Sequence, residues 1–238
     1  DLAGIATLVI ILELKTGLIT NTLLNNISKL INKDALGLAK QGLPLLLSSI
    51  FITLNLQIDT LLVKQYLGLT SAGLYLAATK IPIIIPGLLY SVEQTLLPIN
   101  LKSIVSGADE LSVLKKTYSP IFFASLVMTL LLCFLSNPIV NLLFGPAYKD
   151  SAPVMAVLAS TIFIGSAASV QARYCLFNSK NEDIFKINIV IFSLNIALDT
   201  VLIQSFGLIG GAIGTSLSLA LGLLVYGMID KKFSGILM

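Results

Sequence analysis

Five charged residues stand inside long apolar runs of this chain: Asp59, Lys80, Glu93, Arg173 and Asp199. A charge at hydrocarbon depth is expensive, so each one marks a candidate ion path, relay or anion site. With a 1.5 Å rise per residue, Asp59 falls about 24 Å along one helix and Lys80 about 14 Å along the next, which enters from the other side. The two reach similar depths, and an Asp59–Lys80 ion pair between adjacent antiparallel helices is expected. Arg173 lies about 30 Å along its own helix, near the opposite edge. There its stem can snorkel to headgroups, or its planar fork can take a phosphate in two bonds. Glu93 reaches a comparable depth, where it can pair with Arg173 or carry a coupling proton. Asp199, within Asn195-Ile-Ala-Leu-Asp199, reads as interfacial or hydrogen-bonded to a neighbour. Glu13 and Lys15 interrupt a further apolar run; two residues apart, they do not share a helix face. Asn55, Gln57, Gln94 and Gln171 are uncharged polar residues of the same runs, suited to sugar hydroxyls or to hydrogen bonds between helices, the second use being favoured.

These residues do not assemble into an enzyme. The chain has no histidine, which excludes His-based triads, HExxH zinc sites and histidine general bases. It has no Walker A sequence, and its carboxylates lie in separate segments rather than in a paired acid–base arrangement. Cys133 and Cys175 lack CxxC spacing and read as reduced packing residues. No cofactor or metal site is expected, and no basic run with interleaved aromatics points to nucleic acid. Energy for any vectorial work must come from an ion gradient, the membrane potential or product removal.

The elements that must position these groups are membrane helices. The 238 residues are 56% hydrophobic and 11% charged, with a net charge of +3 and a mean hydropathy of +0.95. About a quarter of a soluble domain is charged, so the solvent for most of this surface is lipid. Seven apolar stretches, at 3–24, 43–65, 71–100, 119–143, 152–177, 185–205 and 208–229, predict an all-α membrane protein with about seven transmembrane helices. Continuous apolarity without alternation argues against a barrel. Pro82, Pro86 and Pro98 predict kinks in the third stretch. Asn137-Pro138 predicts a break in the fourth and Phe144-Gly145-Pro146 its exit. A tight turn is expected at Phe206-Gly207, and Gly207 and Gly211 have the GxxxG spacing of close helix packing. The connections near 25–42, 101–118 and 178–186 and the tail are rich in lysine, whereas the alternate connections hold only Lys64 and Lys149. By the positive-inside rule the protein is multi-pass in the cytoplasmic membrane with its C-terminus inside. The chain opens on Asp1 without a basic n-region, which reads as a piece of something longer.

Several short runs carry a resemblance. Gly42-Leu-Pro-Leu-Leu-Leu-Ser-Ser-Ile, Gln57-Ile-Asp-Thr-Leu-Leu and Gly73-Leu-Tyr-Leu-Ala-Ala-Thr-Lys80 resemble the start of the second lobe of Wzx-type polysaccharide flippases. Leu143-Phe-Gly-Pro-Ala-Tyr-Lys-Asp-Ser-Ala-Pro and Phe206-Gly-Leu-Ile-Gly-Gly-Ala-Ile-Gly-Thr-Ser resemble later loops of the same multidrug/oligosaccharidyl-lipid/polysaccharide exporter superfamily. The resemblance implies residues 1–30 as the last helix of a first lobe, 31–42 as a cytoplasmic linker, 43–230 as a second six-helix lobe and 231–238 as a cytoplasmic tail. About five further spans are expected upstream. It implies translocation of a polyprenyl-diphosphate-linked O-antigen or capsule repeat unit, with membrane lipid and a polysaccharide polymerase as partners. Lys80 and Arg173 would then hold the diphosphate, and Asp59 and Glu93 would serve coupling or ion pairing. A cation-coupled multidrug exporter and a lipid II flippase are the alternatives. The lipid II family usually carries two helices beyond the second lobe, and this chain ends soon after Lys231-Lys232.

Overall fold

Between Gly42 and Val105 runs an apolar helical stretch of 64 residues. As one rod it would measure about 96 Å, three times a hydrocarbon core, so it must turn back. In the computed structural model, which describes residues 33–230, it does so at Gly68. That residue takes φ 88° and ψ 176° inside the helical segment Lys33–Val105, a conformation open to glycine but costly with a side chain. The break separates α1 (33–67) from α2 (69–105). The Tyr75 hydroxyl reaches Asp59 Oδ2 at 3.2 Å, although sixteen residues of straight helix would hold them about 24 Å apart. The two helices are therefore an antiparallel hairpin.

The chain then continues through α3 (Glu110–Phe144), a short 3₁₀ turn at Pro146–Tyr148, α4 (Ser151–Leu158), α5 (Ser160–Phe177), α6 (Asn181–Phe206) and α7 (Leu208–Ile229). No strand occurs among the described residues. Counting α4–α5 as one crossing and the hairpin as two, the described residues cross a bilayer six times. The chain divides into compact units Asp1–Pro44 and Leu45–Met238. Of the first, only the start of α1 is described, so the stretch read as a linker is helical from Lys33. The predicted span 3–24, with Glu13 and Lys15, and the tail 231–238 lie outside the described residues.

One expectation about a break is corrected. The helix α3 does not break at Asn137-Pro138 but runs through Pro120 and Pro138 to Phe144. Membrane helices tolerate proline where neighbours take up the freed backbone groups. The exit holds: Gly145, at φ 83°, caps α3 through its N–H to the Asn141 carbonyl. In the segment Lys33–Val105 the departure from helical dihedrals is at Gly68, ahead of Pro82, Pro86 and Pro98. The stretch 152–177 forms one span, α4 running on into α5 through Ala159, whose backbone keeps helical dihedrals (φ −56°, ψ −31°). Here α3 supplies donors: Thr129 Oγ1 to the Ala159 carbonyl at 3.1 Å and Cys133 Sγ to that of Ala156 at 3.2 Å.

In lipid no hydrophobic force drives helices together, so close backbone approach and hydroxyl bonds must do it. The hairpin of α6 and α7 turns at Gly207, φ 62°. Its contact is a ladder of small residues on α7, Gly210, Gly214, Ser218 and Gly222, all buried. A methyl at Gly210 would strike the Leu202 carbonyl, and one at Gly222 the Ile191 side chain. The packing register is thus Gly210 and Gly214, not Gly207 and Gly211: Gly207 makes the turn and Gly211 lies against the Tyr75 ring. Hydroxyl pairs Ser125–Ser166 and Ser160–Ser216, each at 2.9 Å, tie α3 and α7 to α5.

Candidate functional site

The buried face of α6 is the i, i+4 row Ile187, Ile191, Asn195, Asp199 and Ile203. Two polar residues interrupt an apolar stripe exactly where α7 offers only small side chains, and that is how they find room. Asp199 and Asn195 are fully buried, and Gly214 lies so close to Asp199 Oδ1 that a methyl there would collide with it. Facing them from α1 is Asp59, 5% exposed and interacting with both. Its Oδ2 accepts from Tyr75 at 3.2 Å and from Thr215 Oγ1 at 2.7 Å. Asp59 Oδ1, both Asp199 carboxylate oxygens and the Asn195 amide are buried without a hydrogen-bond partner. Among the described residues neither aspartate has an ion-pair partner. Taking an uncompensated carboxylate out of water costs several kcal/mol, so two together require a proton or a shared cation. The unpartnered oxygens, on Asp59, Asp199 and Asn195, are hard donors, the set that suits such a charge.

The expected Asp59–Lys80 pair is not formed. Depth fixes a side chain's height but not its rotation: Tyr75, which does meet Asp59, lies five residues from Lys80, about 140° around the helix. Lys80 is exposed on another face of α2, and among the described residues it makes no ion pair. That face also carries exposed Ser91 and Gln94, and Gln94 donates to the Tyr90 hydroxyl. On α1, Ser49, Thr53, Gln57 and Lys64 form a second exposed polar row. By contrast, the exposed residues of mid-α3 include Phe122, Phe123, Leu126, Leu130 and Phe134, a surface made for acyl chains.

The expected pairing of Glu93 with Arg173 is present, at 3.9 Å, with both side chains almost wholly buried. Ser169 donates to Glu93 Oε1 at 2.8 Å, and the Arg173 guanidinium lies 5.3 Å from the Tyr90 ring centroid. Burial at 4% exposure removes snorkelling as an account of Arg173. At the same end of the lobe, Lys180 binds Asp230 at 2.5 Å, linking the α5–α6 turn to the end of α7. That bond holds the Lys180 ammonium above its ordinary pKa. Asp109, by accepting from Ser112 at the start of α3, is held below the usual carboxylate range.

The described residues thus hold buried charges among helices long and apolar enough to cross a membrane, and sequence comparison supplies the family. The chain belongs to the lipid II flippase MurJ family. That family's model matches residues 2–237. The chain's ending near Lys231-Lys232 therefore carries no weight against this kinship. The ground common to the family and to the resemblance read from the sequence is the lipid-linked flippase class; the match does not single out the Wzx O-antigen type. The chain is also similar to the capsular polysaccharide biosynthesis protein CapF of Staphylococcus aureus, 25% identical over 201 residues, which cover 80% of this chain and 48% of that protein. It spans about half the length of that relative. No solved structure matches.

The coupling candidate Asp59 was readable as a charge at depth, but its partners Asn195 and Asp199 were not assigned to it. The usable signal was their i, i+4 spacing within an apolar stripe opposite a small-residue ladder. Of the polar residues noted earlier, Gln171 is buried, Gln57 and Gln94 are exposed, and the Asn55 Oδ1 is buried without a partner.

Proposed function

We propose that this chain is the second lobe of a transporter that carries a polyprenyl-diphosphate-linked oligosaccharide across the cytoplasmic membrane by alternating access, its C-terminus on the cytoplasmic side. Lys80 carries the reading. A lysine well inside a membrane helix, exposed and without an ion pair among the described residues, is too costly to face lipid. It has to face a wet cavity, and the polar rows of α1 and α2 form that cavity's wall. A lysine there suits phosphate as a point charge. Glu93 holds Arg173 in the conformation described, so the phosphate role falls to Lys80, and Arg173 ties α5 to α2. The Asp59–Asp199 cluster takes up the coupling cation, a proton or a hard monovalent ion. Similarity to a protein named for capsule biosynthesis favours a surface polysaccharide repeat unit, passed on to a polymerase. Lipid II presents the same diphosphate and prenyl chain and is the second reading.

The test uses the complete transporter in liposomes loaded with a fluorescent polyprenyl-diphosphate oligosaccharide, whose exposure is read with an external glycosidase. Lys80→Ala should insert normally and slow translocation roughly ten- to hundredfold, the worth of one charge-assisted hydrogen bond. Unchanged translocation contradicts the assignment. Competition between a capsule-type repeat unit and lipid II in the same vesicles ranks the two substrates. Gradient-driven efflux of a cationic dye with no glycan movement would make the protein an exporter instead.

A further inference from the structure

Two cavities adjoin each other at Asn55. The first, of about 280 Å³, opens on Asp59 and Thr215, with Thr79 and Thr161 as further polar points in an apolar wall. The second, of about 320 Å³, lies between α1, α5 and α6 and carries Ser169, Gln171 and Asn188. Asn55, Leu56 and Leu219 line both. Each is large enough for several waters, at about 30 Å³ of liquid per molecule. Asn55 stands one turn before Asp59, a spacing that puts the two side chains on one face of α1. Its Oδ1 is buried and accepts no hydrogen bond. Of the three shared wall residues it alone offers a polar atom; the other two are leucines.

A cation held between Asp59 and Asp199 meets the cavity that opens on Asp59, and its exchange needs a path with oxygen at intervals. Asn55 Oδ1 supplies an oxygen where the cavities adjoin. We propose that the cation bound by Asp59 and Asp199 exchanges through these two cavities, passing the Asn55 side chain between them. This route rests on the coupling role given to Asp59 and Asp199, and it makes Asn55 a positioning residue for ion entry rather than a substrate ligand.

The experiment measures both the amount and the rate of cation binding to the complete transporter in detergent. One arm follows ²²Na⁺ bound and its exchange; the other follows proton release to a pH-sensitive dye. Asn55→Leu should slow exchange by roughly tenfold or more while the bound amount at equilibrium stays within about twofold. Asn55→Asp, which keeps the oxygen, should exchange at least as fast as the native protein. Exchange at the native rate in Asn55→Leu overturns the route while leaving the coupling site standing. Should that variant not fold, Asn55→Val reads the same comparison. If Asp59→Asn changes neither ²²Na⁺ binding nor proton release, the coupling reading itself fails, and the route with it.

Discussion

Glu93 and Arg173 bury groups of opposite charge between α2 and α5, whereas Asp59 and Asp199 bury two acidic groups between α1 and α6 with no ion-pair partner among the described residues. Both clusters lie in the same compact unit, and both leave polar atoms without a hydrogen bond. The difference is the sum of charge. A balanced pair is complete without a ligand and ties two helices together. An unbalanced pair is complete only with something positive, so its stability depends on what it binds. Under the proposed function, that distinction separates a structural element from a coupling element.

The largest effect should come from unbalancing the balanced pair. Removing one partner of a buried ion pair costs about 3–5 kcal/mol, so Arg173→Ala should lower thermal stability in detergent by that order. Adding Glu93→Gln should recover much of the loss. If Arg173→Ala is instead stable but fails to move glycan, the guanidinium is a phosphate ligand and the comparison breaks. A smaller effect should follow from crowding the unbalanced pair. A methyl at Gly214 would collide with Asp199 Oδ1, and overpacking of this kind costs about 1–3 kcal/mol. Gly214→Ala should therefore destabilise the fold and weaken cation binding together. Gly87→Ala is the control, because a methyl there meets nothing within 4 Å.

Much of the lobe could be read from the chain because lipid leaves few choices. Apolar length set the spans, and Gly68 and Gly207 punctuate them where the backbone turns. The site was legible only in part. Asp59, Lys80, Glu93 and Arg173 stood out as charges at depth, and depth correctly brought Glu93 to Arg173. Depth says nothing about rotation, which is why Asp59 was matched with Lys80 and not with Asp199 across the α1–α6 contact. The join of α4 to α5 at Ala159 was invisible for another reason. Alanine is the best helix former, and the side chains that donate to carbonyls there, Thr129 and Cys133, come from a helix remote in sequence. Pro138 erred in the opposite direction, because a residue that breaks helices in water is carried through in a membrane.

The most direct test is the glycan translocation rate of the complete transporter in liposomes under imposed Na⁺ or pH gradients, native against Asp59→Asn. The account predicts a native rate that rises or falls with the sign of one of these gradients and an Asp59→Asn rate that ignores both. A variant that follows the gradient as the native protein does would show that the buried aspartates do not couple transport.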